Sequence, residues 1–337
     1  VWIKSRDNTG GTYANMLFDS VRGSEYSVNS DGTGQSVINQ YGKISSFNLN
    51  GFTVAPGSSD SSNVNTNNDN LIAWCWRSGG SKGTFNVDDE GFASAAAAGL
   101  AGGDMSPTGA SVGTKQGFSI LKFTAPSDSG TKTISHGLSQ TPEFLIFKET
   151  NRSSTAWYIF HHSVCDTNEK YLRFDDTALQ SSAGNVWGNL PTSNLISIQN
   201  GSLNAVSSQN ILYAWHSIPG LQKFGSYTGN GDADGPFLEL GFKPAIVWVK
   251  RSGSSTGEWR IWDTTRDPFN KCDNKLYVNK LDAETGSSDT NEIDIYSNGF
   301  KLRSSVSEGN ANNVTFIYCA WAEAPSIDLY GGGANAR

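Results

Sequence analysis

A tandem array of jelly-roll-like β-sandwich units with negligible helix is the all-β fold class this sequence predicts. Three observations carry the prediction. The first is a short apolar run that occurs three times: NLIAWCWR at Asn70–Arg77, NILYAWH at Asn210–His216 and TFIYCAWA at Thr315–Ala322. In each, an isoleucine (Ile72, Ile211, Ile317) lies four residues before a tryptophan (Trp76, Trp215, Trp321), and a small residue precedes the tryptophan. An apolar run this short, bounded by polar residues, reads as a strand buried on both faces. The second observation is an Asn-Gly pair upstream of each run: Asn50-Gly51, Asn200-Gly201 and Asn298-Gly299. Both residue types tolerate positive φ, so a two-residue type I′ hairpin is expected at each, least strongly at the second. The third is composition: 37 Gly, 10 Trp, 11 Tyr and 17 Phe against 17% charged residues fit an all-β chain with many tight turns.

The elements follow in the same order in each copy. PEFLIFK at Pro142–Lys148 matches PAIVWVK at Pro244–Lys250, and the opening VWIK at Val1–Lys4 matches the ends of both. Then come MLFD, YIFH and RIWD at Met16–Asp19, Tyr158–His161 and Arg260–Asp263. EYSVNS, KYLRFD and KLYVNK follow at Glu25–Ser30, Lys170–Asp175 and Lys275–Lys280. Lys148 and Lys250 lie 102 positions apart, a spacing that suits a sandwich and is too long for a propeller blade. The expected organisation is repeat 1 over 1–80, a Gly/Ala-rich linker or insertion over 81–115, repeat 2 over 116–221, repeat 3 over 222–325 and a tail over 326–337. Within the insertion, Thr84–Phe92 reads as one small hairpin and the Ala-rich piece at Ser94–Gly102 as linker, broken by glycine and without amphipathic period.

Repeats 2 and 3 open with an additional hairpin, at Gly117–Leu138 and Phe224–Phe242. Repeat 1 has no counterpart, and its start reads as the middle of a strand in a piece of a longer polypeptide. A unit without that hairpin leaves a sheet edge to be covered by upstream residues, by another chain, or by Gly103–Lys115.

The formal charge of −7 argues against a general nucleic-acid binder, which needs a basic stripe. No apolar run approaches bilayer-spanning length, so no membrane insertion is expected. The four cysteines form no CxxC pair, and Cys75 and Cys319, inside the tryptophan run, read as small buried hydrophobes.

Candidate chemistry is sparse. Asn230, Asp232 and Asp234, in NGDADG, match the first half of a calcium loop. The twelfth position is Gly241 where a bidentate Glu is needed, and the competing reading is a polar turn. His161, His162 and Cys165 form no metal cluster, since adjacent strand residues point to opposite faces. No GxSxG, Walker A, GxGxxG-after-strand or HExxH motif occurs, so no catalytic residue is assigned and no cofactor is expected, calcium aside. Trp187, in a Ser/Gly/Asn loop and without a counterpart in the other copies, is a candidate for sugar stacking; the alternative is packing on its own loop. The loops 55–69, 181–193 and 282–291 differ between copies and are where recognition is expected.

The succession VWIKSRDNTGG, NMLFDSVRG, NGFTV, NLIAWCWRSGG, SPTGASVGTKQGFSI, ISHGLSQTPEFLIFK and ILYAWHSI resembles a repeat family of tail-fibre-like virion proteins of marine bacteriophages, cyanophages included. LGFKPAIVWVKRSG, WDTTRDPFN and FIYCAWAEAP are similar to the usual ends of such proteins. The resemblance implies an extracellular virion structural protein, fibre or appendage, that attaches to a host-surface glycan or protein. It also implies a homo-oligomer, commonly a trimer, in contact with other virion proteins, and it carries over no active-site residue. The alternatives are a carbohydrate-binding adhesin or a polysaccharide depolymerase.

Overall fold

The computed structural model describes residues 1–324 apart from 8–12, 39, 49, 61, 176, 178–180, 183–184, 253–256 and 287–291. The 326–337 tail and part of the 282–291 loop thus lie outside the described residues. The chain is nearly all β, and the two helices among the described residues, Ser62–Asn65 and Ser307–Asn310, are single turns.

Unit 1 contains β1 (Trp2–Ser5), β2 (Met16–Phe18), β3 (Tyr26–Asn29), β4 (Val37–Ile38), β5 (Lys43–Asn48), β6 (Gly51–Ala55) and β7 (Leu71–Trp74). Next come β8 (Phe85–Val87), β9 (Glu90–Phe92) and β10 (Gly109–Gly113). Unit 2 contains β11 (Phe118–Thr124), β12 (Gly130–Ser135), β13 (Phe144–Glu149), β14 (Trp157–His161), β15 (Lys170–Arg173), β16 (Ser181–Ser182), β17 (Leu195–Asn200) and β18 (Gln209–Trp215). Unit 3 contains β19 (Gln222–Thr228), β20 (Phe237–Glu239), β21 (Pro244–Arg251), β22 (Arg260–Asp263), β23 (Leu276–Tyr277), β24 (Ile293–Tyr296), β25 (Gly299–Leu302) and β26 (Thr315–Ala322).

The main sheets run β4-β3-β2-β1-β7, β16-β15-β14-β13-β18-β11-β10-β8-β9 and β19-β26-β21-β22-β23. The tryptophan strands β7, β18 and β26 therefore occupy equivalent places, and their registers agree. Lys4 pairs with Ile72, Lys148 with Ile211 and Lys250 with Ile317. Against the main sheets lie the smaller layers β5-β6, β12-β17 and β20-β25-β24. The apolar residues that β17 and β25 bury, Ile196 and Ile198 and then Phe300 and Leu302, lie two apart and so share one face of each strand.

Hairpins form at the first and third Asn-Gly pairs, Asn48 opposite Gly51 and Tyr296 opposite Gly299, but the glycine is the first residue of the returning strand. In the third, neither Asn298 nor Gly299 has positive φ. Gly299 is needed instead for close approach, because a Cβ there would lie 2.0 Å from the Leu238 carbonyl oxygen of β20. The second pair makes no hairpin. Asn200 ends β17, and Gly201 (φ 89°) closes a turn on the way to β18. By register, β17 corresponds to β25, so the counterpart of Asn298 is Asn194.

Thr84–Phe92 forms the hairpin β8–β9, and β10 pairs antiparallel with β11 and parallel with β8. The edge that 103–115 covers is thus that of unit 2. Among the described residues no strand pairs with the outer edge of β7 or of β6.

Candidate functional site

The three units close into a ring through equivalent seams. At the position paired with the buried lysine stand Asn15, Trp157 and Trp259. Trp157 Nε1 of unit 2 donates to the Asn29 and Gly32 carbonyls of unit 1, both at 3.0 Å. Trp259 Nε1 of unit 3 donates to the Arg173 carbonyl of unit 2 at 2.7 Å. Asn15 Nδ2 of unit 1 completes the cycle on the Val278 and Lys280 carbonyls of unit 3, again at 3.0 Å. A second cycle runs through the position held by Asp19, His161 and Asp263. Tyr213 donates to Asp19 at 2.7 Å, Trp74 Nε1 to Asp263 at 3.0 Å, and His161 Nε2 lies 3.2 Å from the Tyr318 carbonyl.

Asp19 and Asp263 each also hold an arginine three residues on, Arg22 and Arg266, in buried ion pairs. Burial opposes ionisation of Asp19, but Arg22 and the hydrogen bonds it and Tyr213 supply hold the carboxyl below its ordinary value. His161 cannot accept a charged partner in this way, and burial with His162 alongside pushes it down to about 3.

Where the seams meet, aromatic rings from all units pack together. Trp248 lies 5.4 Å from Trp2, 5.8 Å from Trp76 and 5.0 Å from Trp321, and Trp321 lies 5.4 Å from Trp76 and 6.4 Å from Trp215. The edge-to-face angles suit ring quadrupoles. The indole N–H groups of Trp76, Trp215, Trp248 and Trp321 have no hydrogen-bond partner.

Beside this cluster a cavity of about 560 Å3 opens, within the range of ligand pockets. Its wall includes Trp2, Trp76, Trp215 and Trp248 from the cluster, Phe47 and Phe52 from the β5–β6 layer, and Cys75 next to β7. Arg77, Lys82 and Asp89 lie at its polar side, Arg77 ion-paired with Asp89. In units 2 and 3 the edge equivalent to that of β7 carries β11 and β19, and the expected opening hairpins do not form: β11 and β19 join the main sheets, while β12 and β20 cross to the smaller layers. Phe118 of β11 stacks on Trp215 at 4.2 Å, and Phe224 of β19 packs on Trp321 at 5.6 Å. Trp76 instead meets Trp2 of unit 1 at 6.5 Å, with Trp248 and Trp321 of unit 3 alongside.

Burial differs between the copies. Ile211, Leu212, Ala214, Ile317, Cys319 and Ala320 are fully buried, whereas Leu71, Ile72 and Ala73 are half-buried and Cys75 is exposed. Cys75 is thus no core residue; only Cys165, Cys272 and Cys319 fit that reading.

Trp187 is not a free platform. It is 1% exposed, meets Phe160 edge-to-face at 5.9 Å and donates to the Lys170 carbonyl at 3.0 Å, so neither ring face can stack on a sugar. The 181–193 loop folds inward at Val186 and Trp187, and a single loop sequence does not reveal that docking.

The NGDADG turn is engaged with its own neighbours. Asn230 Oδ1 accepts from Asp232 N and Asn310 Nδ2, Asp232 Oδ1 from Asp234 N, and exposed Asp234 is paired with Lys301 and Arg303. Among the described residues no group of three His, Cys, Asp or Glu side chains is placed to hold a metal. His162 lies against the Phe224 carbonyl at 3.1 Å, and His161 and Cys165 are buried.

This chain belongs to a family described as a domain of unknown function, DUF7483, matched over residues 1–325 and so over all three units. No curated protein and no solved structure matches it.

Proposed function

We propose that this chain is a bacteriophage virion structural protein, a fibre or appendage, that presents a ring of β-sandwich units for attachment to a host surface and acts by binding without turnover. The observation that carries the reading is the ring itself. Three units of one repeat are joined by buried seams into a single body, the construction of a rigid mount. The carboxylates at the cavity support binding over hydrolysis: Asp19 is committed to Arg22 and Tyr213, and Asp89 to Arg77. A glycosidase needs two convergent carboxyl groups free to exchange protons and attack. The family resemblance of the repeat motifs supplies the virion context.

The test is proteomic and functional. Peptides of the chain should be found in purified particles of the virus that encodes it, and the isolated protein should compete with those particles for host cells. Recovery only from the soluble fraction of the lysate, with no competition, refutes the reading. A glycan array and a viscosity assay on host polysaccharide separate attachment to sugar, attachment to protein and depolymerisation.

A further inference from the structure

We propose that Lys4 and Asn15 of unit 1 are the partners of a self-formed isopeptide bond that ties β1 covalently to the start of β2. The Lys4 amine displaces the Asn15 side-chain nitrogen as ammonia, once per chain, and Asp31 carries the proton. The inference does not depend on the virion reading.

The three units share a buried lysine but differ in what faces it. In unit 2 Lys148 lies opposite Trp157, and its Nζ donates to the Thr155 carbonyl and to Thr155 Oγ1, both at 2.6 Å. In unit 3 the register sets Lys250 opposite Trp259, and Nζ donates to the Arg251 carbonyl at 2.9 Å. In unit 1 the pairing of Ile3 with Met16 sets Lys4 opposite Asn15. A carboxamide there takes the place of an indole, and the amine reaches it: Lys4 Nζ donates to Asn15 Oδ1 at 2.8 Å. Lys4 is 1% exposed and Asn15 0%, so bulk water does not compete for either group.

Three further features favour amide formation. The Lys280 carbonyl of unit 3 accepts from Lys4 Nζ at 2.6 Å and from Asn15 Nδ2 at 3.0 Å, so the entering and leaving nitrogens sit side by side. Positioning of this kind removes much of the entropic barrier to a bond-forming step. Burial, with Arg266 adding to it, brings the Lys4 amine down to about 8 against the attraction of Asp31 and Asp282. The neutral amine, which is the nucleophile, is therefore within reach near neutrality. Asp31 Oδ1 accepts from the Asn15 main-chain N at 2.7 Å, and burial raises its carboxyl above the ordinary value. An acid that holds a proton thus stands beside the pair.

The step balances without a co-reactant. Neutral Lys4 Nζ attacks Asn15 Cγ, the Nζ–Cγ bond forms and the Cγ–Nδ2 bond breaks. Asp31 takes a proton from Nζ and gives one to Nδ2, which departs as ammonia. The N–H of the new amide keeps the Lys280 carbonyl as its acceptor.

The folded wild-type chain is incubated at pH 8 and followed by intact mass and by tandem mass spectrometry after trypsin. A product lighter by one ammonia is expected, with Lys4 uncut and residues 1–6 joined to residues 7–22. A succinimide at an Asn-Gly pair has the same mass but leaves those two peptides separate. Asn15→Ala should abolish the joined peptide, and Asp31→Asn should slow its formation about a hundredfold or more, as loss of a proton carrier requires. Asp31→Asn keeps a side-chain oxygen for the Asn15 main-chain N, as Asn279 serves Trp259 N at 2.9 Å in unit 3, and an unchanged melting curve verifies its fold. Cutting after Lys4 in the folded wild type, at unchanged mass, overturns the proposal. So does a joined peptide that forms equally fast in urea. Formation at the wild-type rate in Asp31→Asn overturns the part given to Asp31.

Discussion

Trp321→Ala tests whether the three units form one cooperative body. Trp321 is 3% exposed and touches Trp76 of unit 1, Trp215 of unit 2, and Phe224 and Trp248 of unit 3. Its N–H has no partner, so truncation removes packing alone. Truncating a buried tryptophan costs about 3–5 kcal/mol, and four aromatic neighbours place this site near the upper end. For a chain of this size, at about 2 °C per kcal/mol, the melting temperature should fall by about 8–10 °C. Differential scanning calorimetry on wild type and variant should give one transition in each, displaced as a whole. A variant thermogram that splits, leaving part of the heat at the wild-type temperature, would mean that the seams do not couple the units. Trp321→Phe should restore most of the loss.

Trp187→Ala should cost about 3–5 kcal/mol in urea denaturation, because the ring is core and not loop; a loss under 1 kcal/mol refutes that placement. Asp263→Ala takes from buried Arg266 one of its two carboxylate partners, Glu284 remaining, and takes the acceptor from Trp74, and a loss of about 2–3 kcal/mol is expected, read as a lower urea midpoint. His136 and His161 are fully buried, and burial lowers them from 6.5 to about 4 and about 3. Their contribution is present in full above pH 6.5 and is lost as pH falls, since below that value the unfolded chain takes up protons that the folded imidazoles refuse. Each should cost about 1.4 kcal/mol per pH unit, roughly 4 kcal/mol for both at pH 5, and urea midpoints that stay level from pH 7 to 5 would contradict it. Millimolar calcium should leave the melting temperature unchanged; a rise abolished by Asp232→Ala and Asp234→Ala would establish an ion site.

The sequence made the repeat legible because a strand buried on both faces cannot vary freely. Ile72, Ile211 and Ile317 meet their lysines in one register, as the spacing to the tryptophans implies. The opening segments of units 2 and 3 were equally visible, but not that β11 and β12, or β19 and β20, part to different sheets. Contacts between units were not. The counterparts Asn15, Trp157 and Trp259 share a function while differing in chemistry, so alignment hides that they close one ring. Trp187 was misread for a related reason, as a loop residue can turn inward when a remote wall such as Phe160 awaits it. The Asn-Gly pairs pointed to hairpins in two cases, but the demand on Gly299 comes from Leu238, some sixty positions away in sequence.

The unequal cores give the ring a direction of dependence. Unit 3 has its own cluster of fourteen buried apolar residues, while that confined to unit 1 has five: Ile3, Met16, Phe18, Ile44 and Val64. A core of that size does not hold a sandwich by itself. In a closed ring, however, parting one seam does not release a unit, because the other two still hold its neighbours. Slow opening should therefore start at the seam beside the cavity, with the remaining seams as hinges. Amide exchange should be fastest along β5, β6 and β7 and slowest along β18 and β26.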